Sequence, residues 1–166
     1  PVVTKQNNKP TTRAKPSNDG ESAWDLIDKV RILIYGVSGS GKTTLASTFP
    51  SPLLWLLCSG GNRPGELRSV DTPENRKRIW PKLVESIDKF GDLIADVGED
   101  FPYATVVLDH ASGLQDLTLK EILGLQELPA QKSWGMASQQ QYGQSSLMCK
   151  ELFRALLNLP TNVVIL

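Results

Sequence analysis

The chain has 166 residues, of which 40% are hydrophobic and 22% charged, and its 18 basic residues balance its 18 acidic ones. This length allows one domain with a substantial core, and the even charge gives no global positive field that would favour nucleic acid. Two cysteines, Cys58 and Cys149, are too few for a disulfide framework or a zinc site, which favours a reducing compartment. The chain has neither a membrane-length apolar run nor a signal-peptide pattern, so we expect a cytoplasmic protein without membrane contact.

Composition divides the chain into two parts. Residues 1–22 contain prolines, asparagines and scattered lysines with little to bury, which predicts a disordered polar tail. Residues 23–166 alternate apolar runs with helical periodicity and are predicted to form the folded core. The basic residues of the tail are compatible with contact to nucleic acid or a partner, but a solvated tail is the simpler interpretation.

A glycine-rich loop follows the first predicted strand, which lies near residues 30–35. The loop reads GVSGSGKTT and consists of Gly36, Val37, Ser38, Gly39, Ser40, Gly41, Lys42, Thr43 and Thr44. Its spacing matches the phosphate-binding P-loop, in which backbone N–H groups, here those of residues 39–44, surround a phosphate. Lys42 would then act on the β- and γ-phosphates as a catalytic residue, and the Thr43 hydroxyl would hold Mg²⁺. The alternative is an ordinary glycine-rich turn with an exposed lysine.

The rest of the core alternates strands and helices. Strands are predicted at residues 53–57, 104–108 and 163–166, and helices at about 42–47, 114–125 and 140–158. The apolar spacing from Trp80 to Ile94 predicts one further amphipathic helix, with Pro81 in its first turn. In the long last helix, the residues expected to face inward are Met148, Leu152, Ala155, Leu156 and Leu159. This order predicts an α/β fold in which helices flank a mostly parallel sheet.

An aspartate ends the strand predicted at 104–108. Downstream of a P-loop, a strand that ends in aspartate places a carboxylate at the carboxyl edge of the sheet, beside the magnesium site. Asp109 is therefore predicted to be a catalytic residue and a ligand of Mg²⁺, directly or through its water ligands. The alternative is an aspartate that only caps the next helix. No Asn-Lys-x-Asp string is present to read guanine, which disfavours a GTPase and favours ATP.

The segment VRILIYGVSGSGKTTLASTFP, residues 30–50, resembles phage-encoded RecA-like ATPases related to single-strand-annealing recombination proteins. The resemblance continues in the strand that ends at Asp109, in Trp134-Gly135 and in Asn162-Val163-Val164. It implies a RecA-like P-loop NTPase in the AAA/ASCE class that binds ATP and Mg²⁺ and forms a homo-oligomer along single-stranded DNA. It also implies that the last strand lies between the P-loop strand and the Asp109 strand, and that the protein acts in the cytoplasm of a bacterial host.

Two departures from this family concern hydrolysis. RecA-like proteins usually carry a glutamate at the end of the second strand to orient water, but the segment Leu57-Cys58-Ser59-Gly60-Gly61 contains none here. The residue after Asp109 is His110 instead of a glutamate. Hydrolysis would then be slow, or would use another group, with Glu66 and His110 as candidates. His110 could equally be a packing or capping residue.

Contact with DNA rests on weaker signals. Residues 128–144 lie where RecA-like proteins place a DNA-facing loop, and Trp134 could stack on a base or only anchor the connection to the core. A basic cluster could contact phosphates or a neighbouring subunit's nucleotide, or form a solvated face; its members are Arg63, Arg68, Arg76 and Arg78.

Two hypotheses about function remain. The first is an ATPase in phage DNA recombination or replication that acts on single-stranded DNA. The second is an ATP-dependent switch or assembly protein with little hydrolysis and no DNA role, which the missing glutamate would suit. Because RecA-like cores continue beyond this last strand, the core is also expected to be incomplete at its carboxyl end.

Overall fold

The computed structural model describes residues 29–58, 64–95, 101–125 and 138–166. The predicted polar tail, Trp134 and Arg63 lie outside these residues, as does the side chain of Glu66. The strands are β1 (Arg31–Leu33), β2 (Leu53–Leu57), β3 (Ile79–Leu83), β4 (Thr105–Asp109) and β5 (Asn162–Ile165). The helices are α1 (Lys42–Ala46), α2 (Ile87–Ala95), α3 (Ala111–Leu123) and α4 (Gln139–Leu157), with 3₁₀ segments η1 (Pro64–Val70) and η2 (Asn75–Lys77).

The strands form one sheet in the order β1-β5-β4-β2-β3. Every pairing is parallel, which confirms the predicted parallel α/β fold. β5 lies between β1 and β4, as the family resemblance implied. The carboxyl ends of β1 and β4 consequently lie at the same edge of the sheet, where ligands bind in open parallel sheets.

The two faces of the sheet carry separate apolar layers. On one face, strand side chains pack against Phe90 of α2, Leu114 of α3 and Leu156 of α4. The other contains Trp55 and Val107 and packs against Ala46 of α1. Strands β2 and β4 are buried along their whole length, as expected for strands covered on both faces. The helix that carries the end of the P-loop therefore lies against the face that includes Trp55.

The predicted helix from Trp80 to Ile94 is wrong in its first part. Residues 79–83 form β3, which pairs with β2, and the helix begins only at Ile87. β3 is an edge strand of the described sheet, where the missing N–H of Pro81 is tolerated. Ser86 helps to start the helix, because its hydroxyl accepts a hydrogen bond from the Lys89 N–H at 3.1 Å.

The long helix α4 forms where it was predicted. Ser138 and Gln141 form a capping box at its start, and Leu156 is buried as expected. Ala155 is exposed, which contradicts its predicted inward position, while Ser145 and Cys149 are buried. The Ser145 hydroxyl lies 2.7 Å from that of Thr118 on α3, so a buried polar pair joins the two helices. Among the helices of the described ranges, none has the length and apolar character to cross a bilayer.

Candidate functional site

The P-loop connects β1 to α1 and is shaped by two glycines in the left-handed region. Gly39 has a φ of 79° and Gly41 a φ of 86°, conformations that side chains disfavour. Gly36 meets a different need, because a Cβ there would lie 2.9 Å from the Ser40 hydroxyl oxygen. Gly39 and Gly41 therefore supply the backbone freedom of this turn, whereas Gly36 is required for space.

Backbone N–H groups at the end of the loop are free for a ligand. Leu45 makes the first helical bond, to the Gly41 carbonyl at 2.9 Å, so the N–H groups of residues 42–44 have no acceptor within α1. The Ser40 N–H donates to the Val37 carbonyl at 3.2 Å, which removes it from the predicted set of donors. Successive free N–H groups in a turn of this kind can form an anion-binding concavity.

Lys42 folds back over the start of its own loop. Its ammonium donates to the carbonyls of Gly36 and Val37, at 2.9 and 3.0 Å. An ammonium has three donors, so these bonds leave one for a ligand. Thr43 is half-buried, whereas Thr44 is exposed. The loop thus holds a positive charge in place before any phosphate arrives.

Asp109 ends β4 with its side chain in a buried position. Its exposed fraction is only 5%, and it lies two residues beyond Val107, so both side chains point to the α1 face of the sheet. None of the ion pairs among the described residues includes it. Its described side-chain partner is Trp55, whose indole N–H donates to Oδ2 at 3.0 Å.

This arrangement fits a magnesium ion. Buried carboxylates are normally paired with a cation or bound to a metal, and Asp109 has no cationic partner among the described residues. A threonine hydroxyl such as that of Thr43 and a carboxylate such as that of Asp109 are oxygen donors of the kind that Mg²⁺ prefers. Within the described ranges, no cluster of three or more histidine, cysteine or acidic side chains could hold a metal by itself.

The end of β2 carries Cys58 in place of a carboxylate. Cys58 is fully buried, and its N–H donates to the Asp109 carbonyl at 2.7 Å. Burial, assisted by the nearby charge of Asp109, raises the pKa of the Cys58 thiol to about 12. A thiol with this pKa stays protonated near neutral pH and cannot accept a proton from water.

His110 follows Asp109 and is the N-cap residue of α3. Its Nδ1 lies 3.2 Å from the Ser112 hydroxyl. Burial raises the pKa of the Asp116 carboxyl further along the helix, an effect that Lys120 and His110 oppose.

The basic cluster suggested by the sequence is described for three of its members, Arg68, Arg76 and Arg78. Arg76 pairs with Asp71, and this pair lowers the pKa of the Asp71 carboxyl. Arg78 donates to the Phe49 carbonyl at 3.0 Å and holds the chain after α1. Arg68 and Arg76 both line a cavity of about 460 Å³ beside β3, and no P-loop residue lines that cavity.

Two residues near Asp109, Trp55 and Gly113, make contacts that the sequence did not predict. Trp55 looked like an ordinary member of an apolar strand, and no local signal connects it with Asp109. Gly113, inside α3, packs so closely that a Cβ there would lie 1.5 Å from the Cys58 carbonyl oxygen. Trp55 donates directly to the Asp109 carboxylate. Gly113 packs against Cys58, whose N–H donates to the Asp109 carbonyl.

Comparison with protein families gives one finding for the whole core. Residues 28–166 match a family model described as an AAA domain. The matched region includes the P-loop and Asp109. A search of curated proteins returns no match to the chain.

Proposed function

The chain belongs to the AAA domain family and has the P-loop NTPase fold, and from this premise we propose that it binds ATP with magnesium and hydrolyses it slowly. The observation that carries the proposal is the placement of the P-loop and Asp109 at one edge of the parallel sheet. Lys42, Thr43 and Asp109 are the residues assigned to the chemistry.

The P-loop would bind the phosphates through its backbone and its lysine. The free N–H groups of residues 42–44 donate to the β-phosphate, and the remaining N–H donor of the Lys42 ammonium reaches the β- and γ-oxygens. Val37 and Ser38 complete the turn that carries these donors, and Thr44 would contact the α-phosphate. Since the Gly36 and Val37 carbonyls already hold the ammonium, little reorganisation is needed on binding.

Thr43 and Asp109 would hold the magnesium ion that accompanies the nucleotide. When bound, the ion neutralises charge that develops on the β- and γ-phosphates. The Thr43 hydroxyl contributes a direct ligand, and the buried Asp109 carboxylate binds the ion or its water. This role also gives Asp109 the positive partner that the described side chains do not provide.

Slow hydrolysis follows from the groups around the attacking water. The end of β2 offers a neutral thiol, Cys58, and no carboxylate. His110, which directly follows Asp109, is a candidate to orient water, and its Nδ1 lies 3.2 Å from the Ser112 hydroxyl. A switch protein that binds ATP with negligible turnover is the second candidate function, and the protonated thiol favours it.

The proposal includes single-stranded DNA as an activator and oligomerisation along it. Its support is the resemblance of residues 30–50 to RecA-like recombination ATPases of phages, together with the strand order that this resemblance implied. The predicted DNA-facing segment, residues 128–144, falls largely outside the described residues.

The test is ATP turnover with and without single-stranded DNA, together with nucleotide affinity. We expect micromolar or tighter ATP binding, slow basal turnover and at least a tenfold stimulation by single-stranded DNA. Tight binding with flat, negligible turnover would favour the switch. Lys42→Ala should abolish binding under either hypothesis, whereas Lys82→Ala, at an exposed lysine on β3, should not change it. Equal ATP affinity of Lys42→Ala and the parent would refute the P-loop assignment.

A further inference from the structure

A hydrogen bond from the core reaches the metal-binding carboxylate. The indole N–H of Trp55 donates to Asp109 Oδ2 at 3.0 Å, and Trp55 has no exposed surface. We propose that Trp55 is a positioning residue that fixes the Asp109 carboxylate for magnesium. This inference rests on the proposed function, because it assigns a role within the same site.

The position of Trp55 is not explained by packing alone. In the register of β2 and β4, Trp55 lies opposite Val107 and Leu57 opposite Asp109, so Trp55 and Asp109 are diagonal neighbours. The surrounding layer is otherwise apolar, and a phenylalanine would fill most of the same volume. An indole adds one donor and no acceptor, and here that donor reaches the carboxylate.

The backbone on both sides of Asp109 is held as well. The Cys58 N–H donates to the Asp109 carbonyl at 2.7 Å, and the Leu166 N–H donates to the Leu108 carbonyl at 3.0 Å. With the main chain fixed by two neighbouring strands, the remaining freedom of Asp109 is the rotation of its side chain. The Trp55 bond restricts that rotation by engaging Oδ2.

The other carboxylate oxygen is left for the metal. Among the described residues no donor is bonded to Oδ1 of Asp109. One oxygen is thus held by the core while the other can accept from a magnesium-bound water. Outer partners of this kind orient metal ligands, and their loss typically weakens metal affinity by about 10- to 100-fold.

The test measures magnesium affinity separately from nucleotide affinity. A non-hydrolysable ATP analogue is bound first without metal, and MgCl₂ is then titrated into the complex. In Trp55→Phe we expect the affinity for metal-free analogue to change by less than about twofold and the magnesium affinity to fall by about tenfold or more. Asp109→Asn serves as the reference for complete loss of the carboxylate.

Controls separate the hydrogen bond from packing. Val107→Ala perturbs the same apolar layer without removing the donor, and should leave the magnesium affinity unchanged. Adding Trp55→Phe to Asp109→Asn should cause no further loss of magnesium affinity, because the two residues act as one unit. If the losses simply add, or if Val107→Ala weakens magnesium as much as Trp55→Phe, the positioning role is refuted.

The outcomes also distinguish this inference from the proposed function. If Asp109→Asn loses magnesium affinity while Trp55→Phe keeps it, the positioning role fails and the metal site stands. If Asp109→Asn itself has no effect, the metal assignment fails. Should Trp55→Phe not fold, a variant with Trp55 as its sole tryptophan, made by Trp24→Phe, Trp80→Phe and Trp134→Phe, provides a second measurement. Its emission should change when magnesium joins the analogue complex, and an unchanged emission would overturn the inference.

Discussion

Replacing Gly113 with alanine should destabilise the protein although the site lies inside a helix. Alanine is normally favoured over glycine in a helix by about 1 kcal/mol. At this position, however, the new Cβ would lie 1.5 Å from the Cys58 carbonyl oxygen and 2.6 Å from its carbon. Both atoms belong to the backbone, so no side chain can rotate away.

The size of the effect follows from the displacement required. Carbon and carbonyl oxygen normally approach no closer than about 3.3 Å, so α3 and the end of β2 must separate by roughly 2 Å. Overpacking of a core costs about 1–3 kcal/mol even where side chains can adjust. Because a backbone shift is needed here, we expect a loss of at least about 3 kcal/mol, or roughly 6–12 °C in Tm for a domain of this size.

Urea unfolding monitored by circular dichroism measures this loss. Gly143→Ala in α4 and Gly91→Ala in α2 are matched controls, because both glycines are helical and a Cβ there meets no atom within 4 Å. These variants should be as stable as the parent or more stable, by up to about 1 kcal/mol. A Gly113→Ala variant that behaves like them would show that α3 does not approach β2 in the way described.

Three further predictions concern Cys58 and Ser138. At pH 8 the Cys58 thiol should resist a thiol reagent in a Cys149→Ala background until urea unfolds the chain, since its pKa is about 12. The free energy of unfolding should also fall as pH rises from about 9 towards 12, because the unfolded thiol loses its proton near 9.0 while the folded one keeps it; Cys58→Ala should remove this part of the decline. Ser138→Ala removes the hydroxyl that accepts from the Gln141 N–H at 3.3 Å, and should lower the free energy of unfolding in urea by about 1 kcal/mol. As a control, Ser146→Ala on the exposed side of α4 should lower it by less than about 0.5 kcal/mol.

Local patterns predicted much of the architecture. The P-loop is recognisable because phosphate binding requires glycines, a lysine and a hydroxyl at fixed offsets along one short segment. The strands at residues 53–57 and 105–109 were recognisable because strands buried on both faces are continuously apolar. The helix α4 was predicted from its apolar spacing, whereas its capping box at Ser138 and Gln141 became evident only in the structure.

The prediction from apolar spacing was wrong in one segment, where an edge strand is followed directly by a helix. From Trp80 to Ile94 the apolar spacing fits a helix, but pairing with β2 converts residues 79–83 into a strand. Tertiary hydrogen bonds outweigh a weak local preference, and an edge position accepts the proline that would disfavour a central strand. The helix was predicted wrongly because the pairing of residues 79–83 with β2 cannot be read from this segment alone.

The sequence by itself determined the phosphate-binding loop, the aspartate at the end of β4 and the alternation that produces a parallel sheet, because each is encoded in contiguous residues. Only the tertiary structure decided what surrounds Asp109: the Trp55 donor from β2, the buried thiol of Cys58 and the close approach of Gly113. These contacts join residues about 50 positions apart in the chain, and their distances arise from the register between strands and the packing of α3. Local patterns can therefore name the ligands of such a site, while the groups that orient them emerge only when the sheet is assembled.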